Sequence, residues 1–133
     1  MATPGTAARK VLMFAAVVEM ATGMALLATP RLVIAWLISG DEPPQAMPLG
    51  RVAGVAVLAL GVACWPRDSA SIVMRAPPVA AMLLYNALIA LYLAYLFLVL
   101  DLGGVLLWPA VAFHGVMAVL LARLASGNVN AGR

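Results

Sequence analysis

A chain of 133 residues that is 65% hydrophobic and 10% charged, with a mean hydropathy of +1.07, lies far from the roughly 45–50% apolar and 25% charged make-up of soluble domains. That composition excludes a soluble enzyme fold and predicts a single integral membrane domain, with too little chain outside the spans for a separate catalytic domain. The formal charge of +3 does not imply nucleic acid, because the basic residues stand singly at span ends, where a membrane accounts for them.

Residues 1–10 are expected to be a cytoplasmic tail carrying Arg9 and Lys10. The first span is predicted over 11–29. It is longer than a signal-peptide core, contains Glu19, and is followed by Pro30 and Arg31 instead of a small-residue cleavage site, so it reads as a retained span. Pro30 stops it. The run over 32–39 is apolar but too short to cross, and with Arg31 before it, Trp36 within it and Gly40-Asp41-Glu42-Pro43-Pro44 after it, it predicts a short interfacial helix.

The second span is predicted over 49–65, between Pro48 and Pro66-Arg67-Asp68. It carries Gly50, Gly54 and Gly61, a small-residue stripe of the kind that lets helices approach closely in lipid. The third is predicted over 78–100 behind Pro77-Pro78 and ends at Asp101. The fourth, over 104–122, follows Gly103-Gly104 and leads into a tail over 123–133 that is expected to be disordered. The expected architecture is therefore all-α: an integral membrane four-helix bundle with an interfacial helix after the first span.

Arg9, Lys10, Arg67, Arg75, Arg123 and Arg133 fall on one side, and Arg31 with Asp41, Glu42 and Asp101 on the other. This bias predicts cytoplasmic termini in a bacterial inner membrane. Trp36, Trp65 and Trp108 fall near predicted interfaces, as an aromatic belt would have them.

Each span holds one ionisable or amide group: Glu19, Arg51, Asn86 and His114. Such a group costs about 3 kcal/mol at the centre of an inserted helix on translocon scales unless it faces protein or water. At 1.5 Å per residue, Glu19 and Asn86 lie about 12 Å deep and His114 about 15 Å, so these three share a layer. Arg51, close to the outer end of its span, reaches the headgroups by snorkelling or turns inward. Small neighbours (Ala15, Ala16, Thr22 and Gly23 around Glu19; Ala110 and Ala118 around His114) predict that both titratable groups look into the bundle. With Tyr85 and Asn86 as hydrogen-bonding partners, the cluster would either hold a ligand headgroup or relay a proton, or would satisfy itself and keep four helices in register.

Tyr85, Tyr92 and Tyr95 form a stripe at helical spacing, expected to face lipid or packing. Cys64 is expected to be a small packing residue, and Asp101 a helix terminator. A single cysteine and the lack of metal-ligand spacing around His114 give no reason to expect a metal or other cofactor.

The strings Glu19-Met20-Ala21-Thr22-Gly23, Arg51-Val52-Ala53-Gly54, Ala63-Cys64-Trp65, Leu84-Tyr85-Asn86 and Trp108-Pro109-Ala110 with His114 resemble those of short uncharacterised four-helix bacterial integral membrane proteins. In size and layout the chain is distantly similar to DoxX-like four-helix proteins. The resemblance implies the architecture and brings no activity, substrate or cofactor.

Three functions follow in order. The first is a non-enzymatic membrane protein that binds a lipid-like molecule or serves as an accessory subunit, in a homo-oligomer or a larger membrane complex, with the flap over 32–39 and the glycine-lined second span as contact surface. The second is a proton-coupled transporter or oligomeric channel using Glu19 and His114, and the third a membrane enzyme acting on a lipid or isoprenoid.

Overall fold

The computed structural model describes residues 4–39, 43–66 and 76–131. Among them the chain is helical and has no strand: α1 Pro4–Ala28, α2 Pro30–Leu37, α3 Ala46–Ala63, α4 Ala76–Leu100 and α5 Leu107–Ala131. Helices α1, α3, α4 and α5 are long and apolar enough to cross a membrane, and α2, at eight residues, is not. The all-α fold with four spans and one short helix after the first is thus present in the molecule.

The helices pair in chain order of neighbours in space: α1 lies along α3, α4 lies along α5, and the two pairs meet where α1 faces α5 and α4. Glycine sets the first pairing. A Cβ built on Gly23 would stand 2.6 Å from Leu58 N and 2.8 Å from Gly54 O, and one on Gly54 would stand 2.8 Å from Gly23 O. At Gly61 the obstacle is Ala16 O at 2.9 Å. Backbone meets backbone along this seam, the close approach that association in lipid relies on. The glycine stripe of α3 is therefore occupied inside the protein and is not the contact surface for a partner expected from sequence. Its apolar residues Leu49, Val52, Val55 and Val62 are exposed on the remaining faces.

Two apolar clusters lie at opposite ends of the layer. One gathers Leu12, Ala15, Ala16, Cys64, Val79, Met82, Met117 and Leu121 at the end where α1 begins and α5 finishes. The other gathers Leu93, Leu96 and Leu107 near the α4–α5 connection. Cys64 is buried in the first cluster as a packing residue, its thiol donating to Pro78 O at 3.5 Å.

The short helix α2 is tethered and not a free flap. Gly104 N donates to Leu37 O at 2.9 Å, Leu106 N to Trp36 O at 2.8 Å, and Gly103 N to Ser39 Oγ at 3.3 Å. These bonds tie the α1–α3 pair to the α4–α5 pair at one end. A Cβ on Gly104 would collide with the Trp36 carbonyl; the segment expected to open the fourth span at 104 instead forms a turn closed by Leu107 N on Gly104 O at 3.1 Å, and α5 begins only at Leu107. Asp101 takes φ 54°, a left-handed conformation that Asp tolerates better than most residues, and Leu102 N then turns back to Leu96 O at 3.0 Å. Asp101 does terminate its helix.

Both ends of the chain depart from expectation. Helix α1 begins at Pro4 and α5 continues to Ala131, where tails over 1–10 and 123–133 were expected. Once a span has nucleated a helix, extending it costs little per residue, and Ser126 Oγ donates back to Ala122 O at 2.9 Å, keeping the chain helical past Arg123. Trp36, Trp65 and Trp108 are exposed near helix ends, the placement of an interfacial belt.

Replacing Gly54 with alanine should destabilise the protein by about 1–3 kcal/mol, the usual cost of overpacking, whereas Gly115→Ala, which meets nothing within 4 Å, should be neutral or stabilising by up to about 1 kcal/mol. Thermal unfolding in mild detergent measures both, and equal midpoints for the two variants would contradict the glycine seam.

Candidate functional site

Between the two apolar clusters lies a polar layer built from three helices. Glu19 comes from α1, Tyr85 and Asn86 from α4, and His114 from α5. Glu19 is 1% exposed and Asn86 0%, while the His114 side chain is 13% exposed. The small residues around Glu19 on α1 allow this depth: Ala15 and Ala16 are fully buried one turn earlier, leaving room for α4 and α5 to close over the carboxyl.

The hydrogen bonds orient the cluster without ambiguity. Asn86 Nδ2 donates to Met82 O, one turn back on its own helix, at 2.8 Å. A carbonyl only accepts, so this bond fixes which end of the amide is nitrogen and turns Oδ1 outward. Oδ1 is also only an acceptor, and His114 Nδ1 lies 2.8 Å from it. Nδ1 therefore carries a hydrogen, and the exchangeable position of the imidazole is Nε2. The ring is held edge-on by Tyr85, with centroids 5.8 Å apart at 80°, and by Phe113 at 5.3 Å and 77°.

Glu19 is the anomaly. Its Oε1 lies 3.9 Å from His114 Nδ1, within ion-pair range but beyond a hydrogen bond. Tyr85 stands near enough to act on the carboxyl both by charge and as a hydrogen-bonding side chain. Neither carboxyl oxygen, however, receives a hydrogen bond of full geometry. Leaving a buried acceptor unpaired costs about 1–3 kcal/mol, and more if it is charged. The group is held in place by packing against its neighbours.

The structure thus brings Glu19, Tyr85, Asn86 and His114 together and leaves Arg51 out. Arg51 is exposed on α3, whose main contacts are with α1 and α2. Gly50 and Gly54 turn inward, which sends the intervening Arg51 to the outside. Among the described residues it makes no ion pair with Asp101 or Glu19. The tyrosine stripe divides. Tyr85 is half-buried against the first apolar cluster, while Tyr92 and Tyr95 are exposed and stack on each other at 6.4 Å. Among the described residues no group of three potential metal ligands occurs.

One feature of the site was not visible in the sequence. An open apolar groove of about 520 Å³ runs between α1 and α5, lined by Val11, Phe14, Ala112, Phe113, Val116, Met117 and Leu120, with Lys10 at its rim. Phe113 is the immediate neighbour of His114, so groove and polar layer share a wall. The stripes at 10, 11 and 14 and at 113, 116, 117 and 120 are legible in the chain, but that α1 packs beside α5 is not. Compared with known protein families, characterised proteins and solved structures, the chain matches none.

Because neither Glu19 oxygen receives a full hydrogen bond and Asn86 has two partners, their substitutions should act in opposite directions. Glu19→Met should leave thermal stability unchanged or raise it, because it removes buried acceptor oxygens that no hydrogen bond satisfies, while Asn86→Leu, which strands the His114 Nδ1 hydrogen, should cost about 1–3 kcal/mol. Unfolding in detergent reads both, and a loss at Glu19→Met as large as at Asn86→Leu would contradict this account of the cluster.

Proposed function

We propose that this is a non-enzymatic, multi-pass membrane protein that holds an amphiphile with an anionic head, its acyl chain lying in the groove between α1 and α5. The observation that carries the reading is the groove itself, apolar along its length and cationic at one rim, where Lys10 stands. From Phe113 to Leu120 it extends about 10 Å along α5. Arg123, exposed one turn beyond Leu120, continues the same stripe, and α1 and α5 run so that Lys10 and Arg123 come to one end. Two basic groups at the mouth of an apolar slot match a phosphate-bearing lipid, at about 1 kcal/mol for each basic residue near an anionic surface.

Orientation belongs to the same proposal. Arg9, Lys10 and Arg123 mark one end of the described bundle, while the other combines Arg31 with Asp101; Arg67, Arg75, Arg133, Asp41 and Glu42 lie outside the described residues. The positive-inside rule then puts both termini in the cytoplasm of a bacterial cell, and the groove mouth in the inner leaflet of its cytoplasmic membrane. A second role, as an accessory subunit of a membrane complex or a homo-oligomer, is favoured by α3, whose outer apolar faces are left exposed by its glycine seam.

Native mass spectrometry after purification in mild detergent tests the lipid reading. Phosphatidylglycerol should be retained in preference to phosphatidylcholine, Lys10→Gln and Arg123→Gln should each weaken retention roughly fivefold, and Val116→Trp, which fills the groove, should abolish it. Equal retention of the two lipids, or no effect of Val116→Trp, would overturn it. Reporter fusions after Ala131 should be active only in the cytoplasm.

A further inference from the structure

We propose that Glu19, Asn86 and His114 form an intramembrane proton-binding site that takes up and releases one proton, with His114 Nε2 as its port, Glu19 as the counter-charge and Asn86 as the positioning residue. The geometry narrows the ligand to the smallest one. The Glu19 carboxyl is 1% exposed and does not line the groove, so it is enclosed by side chains and helices on all sides. A proton needs no cavity. Neither carboxyl oxygen receives a hydrogen bond of full geometry, and a lone carboxylate in hydrocarbon is far costlier than a neutral cluster. The arrangement is neutral when it holds one labile proton.

The protons balance as follows. Unloaded, the carboxylate is −1 and the imidazole is neutral with its hydrogen on Nδ1. Loading adds one proton at Nε2, giving an imidazolium 3.9 Å from Glu19 Oε1 and a net charge of zero. Passing the Nδ1 hydrogen on to Oε1 would leave a nitrogen lone pair facing Asn86 Oδ1, two acceptors 2.8 Å apart. Asn86 cannot turn over to relieve this, because its amide nitrogen is engaged by Met82 O. Asn86 therefore keeps Nδ1 protonated in both states and confines exchange to Nε2. The other titratable groups in reach are Tyr85 from α4 and Cys64 just beyond α3; α5 contributes no other titratable group in this layer. The layer lies on the seam between the two helix pairs, where α1 meets α4 and α5 less extensively than it meets α3, so loading changes the charge where the two pairs join.

The chain has one histidine, and this makes the test direct. Protein labelled with ¹⁵N histidine and reconstituted in phosphatidylglycerol nanodiscs is followed by imidazole nitrogen NMR from pH 9 to pH 4. The expected result is that Nδ1 bears hydrogen throughout, that Nε2 alone gains a proton, and that Glu19→Gln abolishes this gain over the same range while Glu19→Asp retains it. Loss of the Nδ1 hydrogen at high pH, an Nε2 signal that never changes in the unmodified protein, or an unaltered titration in Glu19→Gln would overturn the proposal. The unmodified protein alone decides the first two outcomes, and lipid retention by Glu19→Gln distinguishes failure here from failure of the groove.

Discussion

An acid buried in an apolar bundle with no full hydrogen bond to either oxygen is the constraint around which this molecule is organised. Glu19 is almost wholly enclosed by the bundle, and its compensation comes from an imidazole 3.9 Å away on another helix and from Tyr85, which acts on the carboxyl from α4. That imidazole has to arrive in a fixed orientation. Asn86 supplies this by gripping its own helix with one end of the amide and the ring with the other. Three helices are thereby committed to one point, and the apolar clusters above and below it keep the point dry.

The division of the four spans follows from the same economy of contact. In lipid there is no hydrophobic force between helices, so packing has to come from close approach. Gly23, Gly54 and Gly61 give α1 and α3 a backbone-to-backbone seam, while α4 and α5 pair through larger side chains such as Phe97 and Trp108 in edge contact at 5.1 Å. The two units then join through the polar layer, the apolar clusters and the tether from α2 to the segment before α5. A groove remains on one flank because Phe14 and Phe113, edge to face at 6.1 Å, hold α1 and α5 together at one level without filling the space toward Lys10.

Much of this was legible in the chain, and the missing parts share a cause. Spans and the short helix could be read because hydropathy and proline act locally. The common depth of Glu19, Asn86 and His114 could be read because a helix converts residue number into height. Partner choice could not. The stripe of Gly50, Gly54 and Gly61 announces a close contact but not that the contact is internal, and Arg51 follows from that outcome, since its direction is set by the glycines beside it. The groove depends on α1 lying next to α5, a pairing of the first and last spans that no local pattern encodes. The helical ends at Pro4 and Ala131 escaped because composition alone suggests tails there, whereas continuation from a formed helix decides them.

The central claim is that a carboxyl on α1 and the imidazole on α5 face each other inside the protein. Solid-state NMR on bilayer-embedded protein, with ¹³C in the Glu19 carboxyl and ¹⁵N in His114, measures that separation directly. A strong dipolar coupling from Nδ1 to the carboxyl carbon, at the distance of an ion pair and exceeding that from Nε2, is the result this account predicts. No measurable coupling, or one dominated by Nε2, would contradict it.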